Sequence, residues 1–240
     1  NCKMQATDVS PSQVSGCVIV NLKTRANLDL IFGSSSLEKT GETKSGDTHS
    51  LIKIDDGKYM VALCDGMGSG SDANLNSSLA ISLIENFYKA GFDNDIILNS
   101  VNKLLCLNNE EKFSALDVCV LDLRKSVCDF IKLGSPYGYI KHKNNTEVIE
   151  TCGLPLGILH EMKPHITKKV LDEFDILILL SDGIFEAFGN NETLLTFINN
   201  SETTNPQTLA DEILDKANEL TNGVCKDDMT VVAVRVYPNA

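Results

Sequence analysis

A chain of 240 residues with 42% apolar and 22% charged residues has the composition of an ordinary soluble globular protein, long enough for one substantial domain or one domain with an appendage. Its 33 acidic residues outnumber 21 basic ones, and the net charge of −12 leaves no basic stripe for nucleic acid or for direct contact with an anionic membrane. The eight cysteines include no Cys-x-x-Cys pair, and Cys64, Cys119 and Cys128 lie in apolar runs, which argues against zinc knuckles, dithiol redox chemistry and disulfides.

A reducing, cytoplasmic setting follows from that cysteine usage. No signal peptide and no apolar stretch of about 18 residues occurs. The chain opens at Asn1 and not at Met, so a longer parent with a membrane anchor elsewhere is compatible with it.

Residues 1–24 are expected as an N-terminal segment, either linker or strand, because Pro11 and its serines suggest a linker whereas Val18-Ile19-Val20 suggests a short strand. The main domain is expected over 25–240. Residues 28–32 read as its first strand, and 33–45, rich in Gly, Ser, Thr and charge, as a mobile loop. Residues 48–54 form the next strand, Asp55-Asp56-Gly57 the turn, and a further strand begins at Lys58. A two-residue turn and a three-residue loop both leave Asp47 opposite Asp65 or Gly66. Asp47 and Asp65 are therefore expected as cross-strand neighbours, about 5 Å apart at Cα.

A helix is expected over 72–90, with Leu75, Leu79, Leu83 and Phe87 as its inner stripe and Gly91 as its stop. Ser69-Gly70-Ser71 reads as its start, with a substrate-contacting loop as the other option. A second helix has Asn94 or Asp95 near its N-cap and Ile97, Val101, Leu104 and Leu105 inward. Strands follow at 116–123, 127–133, 137–142 and 147–150, and 166–171 with 174–180 read as another strand pair. A short helix spans 194–198, and Asn205-Pro206 caps a helix reaching Leu220. The last strand contains Val231-Val232-Ala233-Val234. This order lacks regular βαβ alternation and predicts an α+β fold of largely antiparallel sheets covered by helices.

The chemistry lies at the strand edges. Met60-Val61-Ala62-Leu63-Cys64 runs into Asp65-Gly66-Met67-Gly68, Ile176-Leu177-Ile178-Leu179-Leu180 runs into Ser181-Asp182-Gly183, and Asp227-Asp228-Met229-Thr230 opens the last apolar run. If the last strand is antiparallel to the other two, Asp65, Asp182 and Asp227 reach one edge. Converging carboxylates repel one another unless cations compensate them, and all-oxygen ligand sets suit hard divalent metals.

These motifs, in this order, resemble the bacterial branch of the metal-dependent type 2C (PPM-type) serine/threonine protein phosphatases, and within it the phosphatase domains of the sporulation stage II protein E family. Ser45-Gly46-Asp47, Ser114-Ala115-Leu116-Asp117, Leu133-Gly134-Ser135-Pro136, Leu154-Pro155-Leu156-Gly157-Ile158 and Ser181-Asp182-Gly183-Ile184-Phe185-Glu186 carry the likeness over roughly residues 25–237. The resemblance implies a β-sandwich flanked by helices on both sides (α-β-β-α layers). It also implies two Mn²⁺ or Mg²⁺ ions at one edge, which activate a bridging water for attack on phosphoserine or phosphothreonine. Asp65 would bridge both ions, Gly66 would offer its carbonyl, Asp182 and Asp227 would complete one site, and Asp47 would anchor the water or an ion. No covalent enzyme intermediate is required, and Asp47 and Asp65 are the residues nearest the chemistry. The implied partner is a phosphoprotein, by resemblance an anti-sigma-factor antagonist. A homodimer stays open.

Some features depart from the pattern. No Arg lies between Leu28 and Asp65 to grip phosphate, which leaves the metals, Lys44 or the partner for that task. Asp228 stands where many relatives have Asn. Asp117 reads as a solvated strand-end residue, with a third metal as the other option. Glu186 either orients the Asp182 loop or is solvated. His49, His142, His160 and His165 lack zinc-site spacing and read as surface or strand residues. The competing function is a non-catalytic interaction module that keeps the fold, but the presence of all four acids favours the enzyme.

Overall fold

The computed structural model describes residues 4–106, 113–150, 153–159 and 165–239. Twelve strands and five helices follow in chain order: β1 (Met4–Pro11), β2 (Val18–Thr24), β3 (Leu28–Leu37), β4 (Asp47–Asp55), β5 (Lys58–Gly66), α1 (Gly70–Lys89), α2 (Asn94–Cys106), β6 (Ser114–Asp122) and β7 (Val127–Leu133). Then come β8 (Gly138–Lys141), β9 (Thr146–Ile149), β10 (Ile166–Val170), β11 (Ile176–Leu180), α3 (Asp182–Phe188), α4 (Asn191–Asn200), α5 (Pro206–Leu220) and β12 (Met229–Pro238).

Two five-stranded sheets, ordered β10-β7-β6-β5-β4 and β3-β12-β11-β8-β9, stack face to face, and every pairing between named strands is antiparallel. Residue alternation along β5 shows the layering. Met60, Ala62 and Cys64 join Ile81, Ile84, Ile97 and Val101 of α1 and α2, while Val61 and Leu63 join Leu177, Leu179, Val232 and Val234 of the other sheet. The other face of β11 and β12 packs on α3, α4 and α5 through Ile178, Val231, Ile213 and Ala217. The layers are thus α-β-β-α, as expected.

The hairpin carries both registers considered from its turn. Asp55 pairs with Lys58 across Asp56-Gly57, and an irregularity between Lys53 and Asp55 then shifts the ladder by one residue so that Asp47 faces Asp65. Gly57 has φ +87°, the left-handed conformation this tight turn needs.

Several expectations change. Residues 4–24 form a separate hairpin of β1 and β2, with every residue of β2 exposed. The first strand of the sandwich does not end at Phe32 but runs to Leu37, because Ser34–Ser36 pair with β12 and the Gln207 side chain bonds both the N–H and the carbonyl of Ser34. Strands β10 and β11 are not partners: β10 pairs with β7, and the chain turns at 171–175 into the other sheet.

The buried face of α1 is Ala73, Ser77, Ala80, Ile81, Ile84 and Tyr88, whereas Leu75 and Leu79 are 67% and 47% exposed. Close approach explains this. A Cβ on Gly66 would lie 2.2 Å from the Ala73 carbonyl oxygen, so only small residues fit beneath this end of the helix. Leu83 and Phe87 pack at the core margin. In α2, Ile97, Val101 and Leu105 are buried, but Leu104 is exposed, its place taken by Leu98 and Asn102.

Candidate active site

The two sheets each bring two acids to one end of the sandwich. Asp47 opens β4 and faces Asp65 near the end of β5. Asp182 follows β11 as the first residue of α3, and Asp227 immediately precedes Asp228 at the start of β12. The β11–β12 ladder extends one step beyond the strand pairing, because the Ser181 N–H donates to the Thr230 carbonyl at 3.0 Å. Alternation puts Asp65 in line with Val61 and Leu63 of the inter-sheet row, so it emerges at the rim between the sheets.

Electrostatics mark this rim. Asp47 is 8% exposed, and neither carboxylate oxygen has a hydrogen-bond partner among the described residues. Burial pushes its carboxyl up to about 7, helped by the charges of Asp228 and Asp182 and opposed by the nearby Thr230 and Ser181 hydroxyls. Asp65 is pushed up to about 9, first by burial and then by the charges of Asp47, Asp182 and Asp227; its carboxyl lies within hydrogen-bonding reach of Asp182. Asp182 is raised by burial and by Asp227 and Glu186. Three carboxyls raised by burial and by one another's charges, with Asp227 beside them and both Asp47 oxygens orphaned, are the oxygen-donor set and the excess of negative charge that divalent cations relieve. On that test the residues fit Mn²⁺ or Mg²⁺.

Other expected residues resolve differently. Asp117 is neither at a strand end nor solvated: it lies within β6, is 1% exposed, and forms an ion pair with buried Lys132, its cross-strand partner on β7. This uses Asp117 structurally, not as a ligand at the rim. Ser69 is the N-cap of α1, and its hydroxyl donates to Glu42 at 3.3 Å. Glu186, on the turn after Asp182, acts on it through charge. Lys44 is exposed.

Among the histidines, His49 is partly buried in β4 beside the Phe32 ring, and His160 lies outside the described residues. The ligand atoms of His142, Asp172 and Asp175 come within 4.8 Å of one another. That trio sits at the far end of β11 from Asp182, and Asp175 there accepts from His142 Nδ1 and from the Asp172 N–H, both at 2.8 Å. Six cysteines are described and all are free, with Cys64, Cys119 and Cys128 buried.

Asp228 was legible only as a departure from a motif. In the fold it is 3% exposed and its carboxylate accepts the N–H groups of Lys39 and Gly46, joining the two sheets beside the acids.

Residues 55–237 match the profile of the stage II sporulation protein E family. The chain is 33% identical over 212 residues to stage II sporulation protein E of Bacillus subtilis (strain 168), covering 86% of this chain and 26% of that protein. It therefore spans about a quarter of that relative's length. A solved structure of the PP2C phosphatase domain with a fragment of the regulatory domain of the Bacillus subtilis cell fate determinant SpoIIE matches with a TM-score of 0.88 and 30% identity, covering all of this chain and 71% of that one. The phosphatase domain alone from the same organism, in a crystal form without domain swapping, gives a TM-score of 0.72 at 30% identity, over 90% of this chain and 96% of the other. The chain belongs to the stage II sporulation protein E family and carries its PP2C-type serine/threonine phosphatase domain.

Proposed function

We propose that this domain hydrolyses phosphoserine or phosphothreonine on a regulatory protein, an anti-sigma-factor antagonist being the substrate class the family resemblance favours, with Asp47, Asp65, Gly66, Asp182 and Asp227 holding two Mn²⁺ or Mg²⁺ ions. The observation that carries this reading is the buried Asp47 carboxylate, with no hydrogen-bond partner among the described residues, facing Asp65 across the hairpin while Asp182 and Asp227 approach from the second sheet. When bound, the ions supply an activated water and neutralise charge on the phosphoryl oxygens. The residues' own part is to fix oxygen donors from two sheets at one rim. With no arginine between Leu28 and Asp65, phosphate binding falls to the ions, to exposed Lys44 or to the substrate protein.

Residues 1–24 are read as an N-terminal segment preceding a phosphatase domain over 25–240, and the whole as a cytoplasmic domain, with which a membrane-anchored parent is compatible. No described helix is long and apolar enough to cross a membrane. The test is hydrolysis of a phosphoserine peptide with and without Mn²⁺. Turnover is expected with Mn²⁺ and should vanish with chelator. A folded protein inactive with Mn²⁺ and with Mg²⁺, toward peptide and phosphorylated antagonist alike, would remove the reading.

A further inference from the structure

We propose that Asp228 is a positioning residue: its carboxylate latches the segment that presents Asp47 to the segment that presents Asp227, and thereby sets how tightly the acidic rim holds a divalent cation. The inference rests on the metal-dependent reading above.

The latch is built from one side chain. Asp228 Oδ1 accepts the Lys39 N–H at 2.9 Å and Oδ2 accepts the Gly46 N–H at 2.8 Å. Lys39 lies just beyond β3, in one sheet, and Gly46 just before β4, in the other. One carboxylate therefore closes both ends of the 38–46 connection that carries the chain between sheets and delivers Asp47. A second staple joins the same two segments: the Thr40 N–H donates to the Cys225 carbonyl at 2.9 Å, and the Cys225 N–H donates to Thr40 Oγ1 at 2.8 Å. Asp227 sits between the two staples, and its Oδ1 accepts the Asp228 N–H at 2.9 Å.

The surroundings fit Asp228 closely. A Cβ on Gly46 would lie 3.2 Å from Asp228 Oδ2, and one on Gly183, beside Asp182, would lie 2.2 Å from the Asp228 carbonyl oxygen. That carbonyl also accepts from Ser181 Oγ at 3.3 Å, and Ser181 Oγ accepts the Thr230 N–H at 2.8 Å. Asp228 thus touches the segments carrying Asp47, Asp182 and Asp227. Its oxygens are engaged by backbone donors, so it acts through the residues it holds. Groups that orient metal ligands in this way contribute about 10–100-fold to metal affinity.

Substitution by Asn separates geometry from charge. Asn keeps the size and one acceptor but turns an N–H group toward the other backbone donor; Ala keeps neither contact. Both remove the charge. The experiment titrates the full chain with Mn²⁺, reading free Mn²⁺ by electron paramagnetic resonance, alongside thermal unfolding of the metal-free proteins. Asp228→Ala is expected to weaken Mn²⁺ binding about 10–100-fold, Asp228→Asn by clearly less, and saturating Mn²⁺ to recover most of kcat on a phosphoserine peptide. Wild-type Mn²⁺ affinity in Asp228→Ala would overturn the proposal, and so would equal losses in the two variants, since that pattern reports charge alone. If Asp228→Ala does not fold, Asp228→Asn carries the test, and unchanged affinity in it overturns the latch. A wild-type chain that binds no Mn²⁺ overturns latch and metal reading together, whereas a wild-type chain that binds and hydrolyses beside indifferent variants overturns the latch alone.

Discussion

Two carboxylates of the same sheet, Asp117 and Asp47, are both buried, and their surroundings differ in one respect. Asp117 has the Lys132 ammonium beside it; burial pushes its carboxyl up and Lys132 pulls it back. Asp47 faces Asp65 and, among the described residues, has no ion-pair partner and no formed hydrogen bond on either oxygen, the Thr230 and Ser181 hydroxyls lying nearby. A buried charge persists when it is paired or coordinates a metal. The first acid carries its counter-charge within the chain, and the second needs one from outside. Burial of an acid alone therefore says little about function, and the missing partner says more.

The comparison breaks most visibly at the rim. Asp65→Asn and Asp182→Asn keep size and remove a charge from the carboxylate cluster. Each is expected to reduce Mn²⁺-dependent phosphatase activity to background while the metal-free domain stays folded, with stability equal to or above wild type because like-charge repulsion falls. Near-normal activity in both at ordinary Mn²⁺, measured with a phosphoserine peptide, would mean that the acids are not ligands.

The Asp117–Lys132 pair should respond in the opposite way. Lys132→Met leaves Asp117 to bury an unpaired charge or to take up a proton, and a loss of about 3–5 kcal/mol is expected from denaturant unfolding. Adding Asp117→Leu to Lys132→Met should recover much of that loss. If the single variant costs no more than the double, the pair contributes no coupling and the contrast with Asp47 is weaker than drawn.

A smaller effect follows from linkage. Asp47 and Asp65 are raised above the unfolded carboxylate value, to about 7 and about 9. Raised groups bind more protons when folded, so their contribution to stability is fully present below about pH 4 and is lost as pH rises through the folded values. The metal-free domain should thus lose stability between about pH 4 and 9 on account of this site. Mn²⁺ takes the place of those protons, so its stabilising effect in thermal unfolding should be larger above about pH 8 than near about pH 5, as for any metal that competes with protons. An equal Mn²⁺ effect at both would place the cation elsewhere.

What the sequence disclosed tracks the range of the forces involved. Apolar alternation and turn chemistry are local, so β5, β7, α5 and the Asp47–Asp65 pairing were readable from Asp56-Gly57 and the runs around it. The destination of β10 was not, because strand pairing across the 171–175 corner depends on the second sheet. Lys132 faces Asp117 across the β6–β7 hairpin, within reach of the same register arithmetic, but the burial of that pair depends on the layers packed on the sheet, and the role of Asp228 needs the fold of residues 39–46 against it.

Helix α1 shows the same limit, and it supports the smallest prediction. A stripe of Leu75, Leu79, Leu83 and Phe87 has helical spacing, yet the face that meets the sheet is Ala73, Ser77, Ala80, Ile84 and Tyr88. Periodicity gives an axis but not which of two apolar faces lies inward; here the closeness of Gly46 and Gly66 to Ala73 decides, since only small side chains fit. Leu79→Ser should accordingly change stability by within about 0.5 kcal/mol, as surface substitutions do. Ala80→Leu, one residue on, should cost about 1–3 kcal/mol through overpacking of a fully buried position. Because Ala80 lies one residue from Leu79, position within the helix and local charge are nearly matched between the two, and burial is the main difference. Equal costs in denaturant unfolding would mean that the helix presents its Leu stripe to the sheet after all, and would move Ala73 away from Gly66 and the acidic rim.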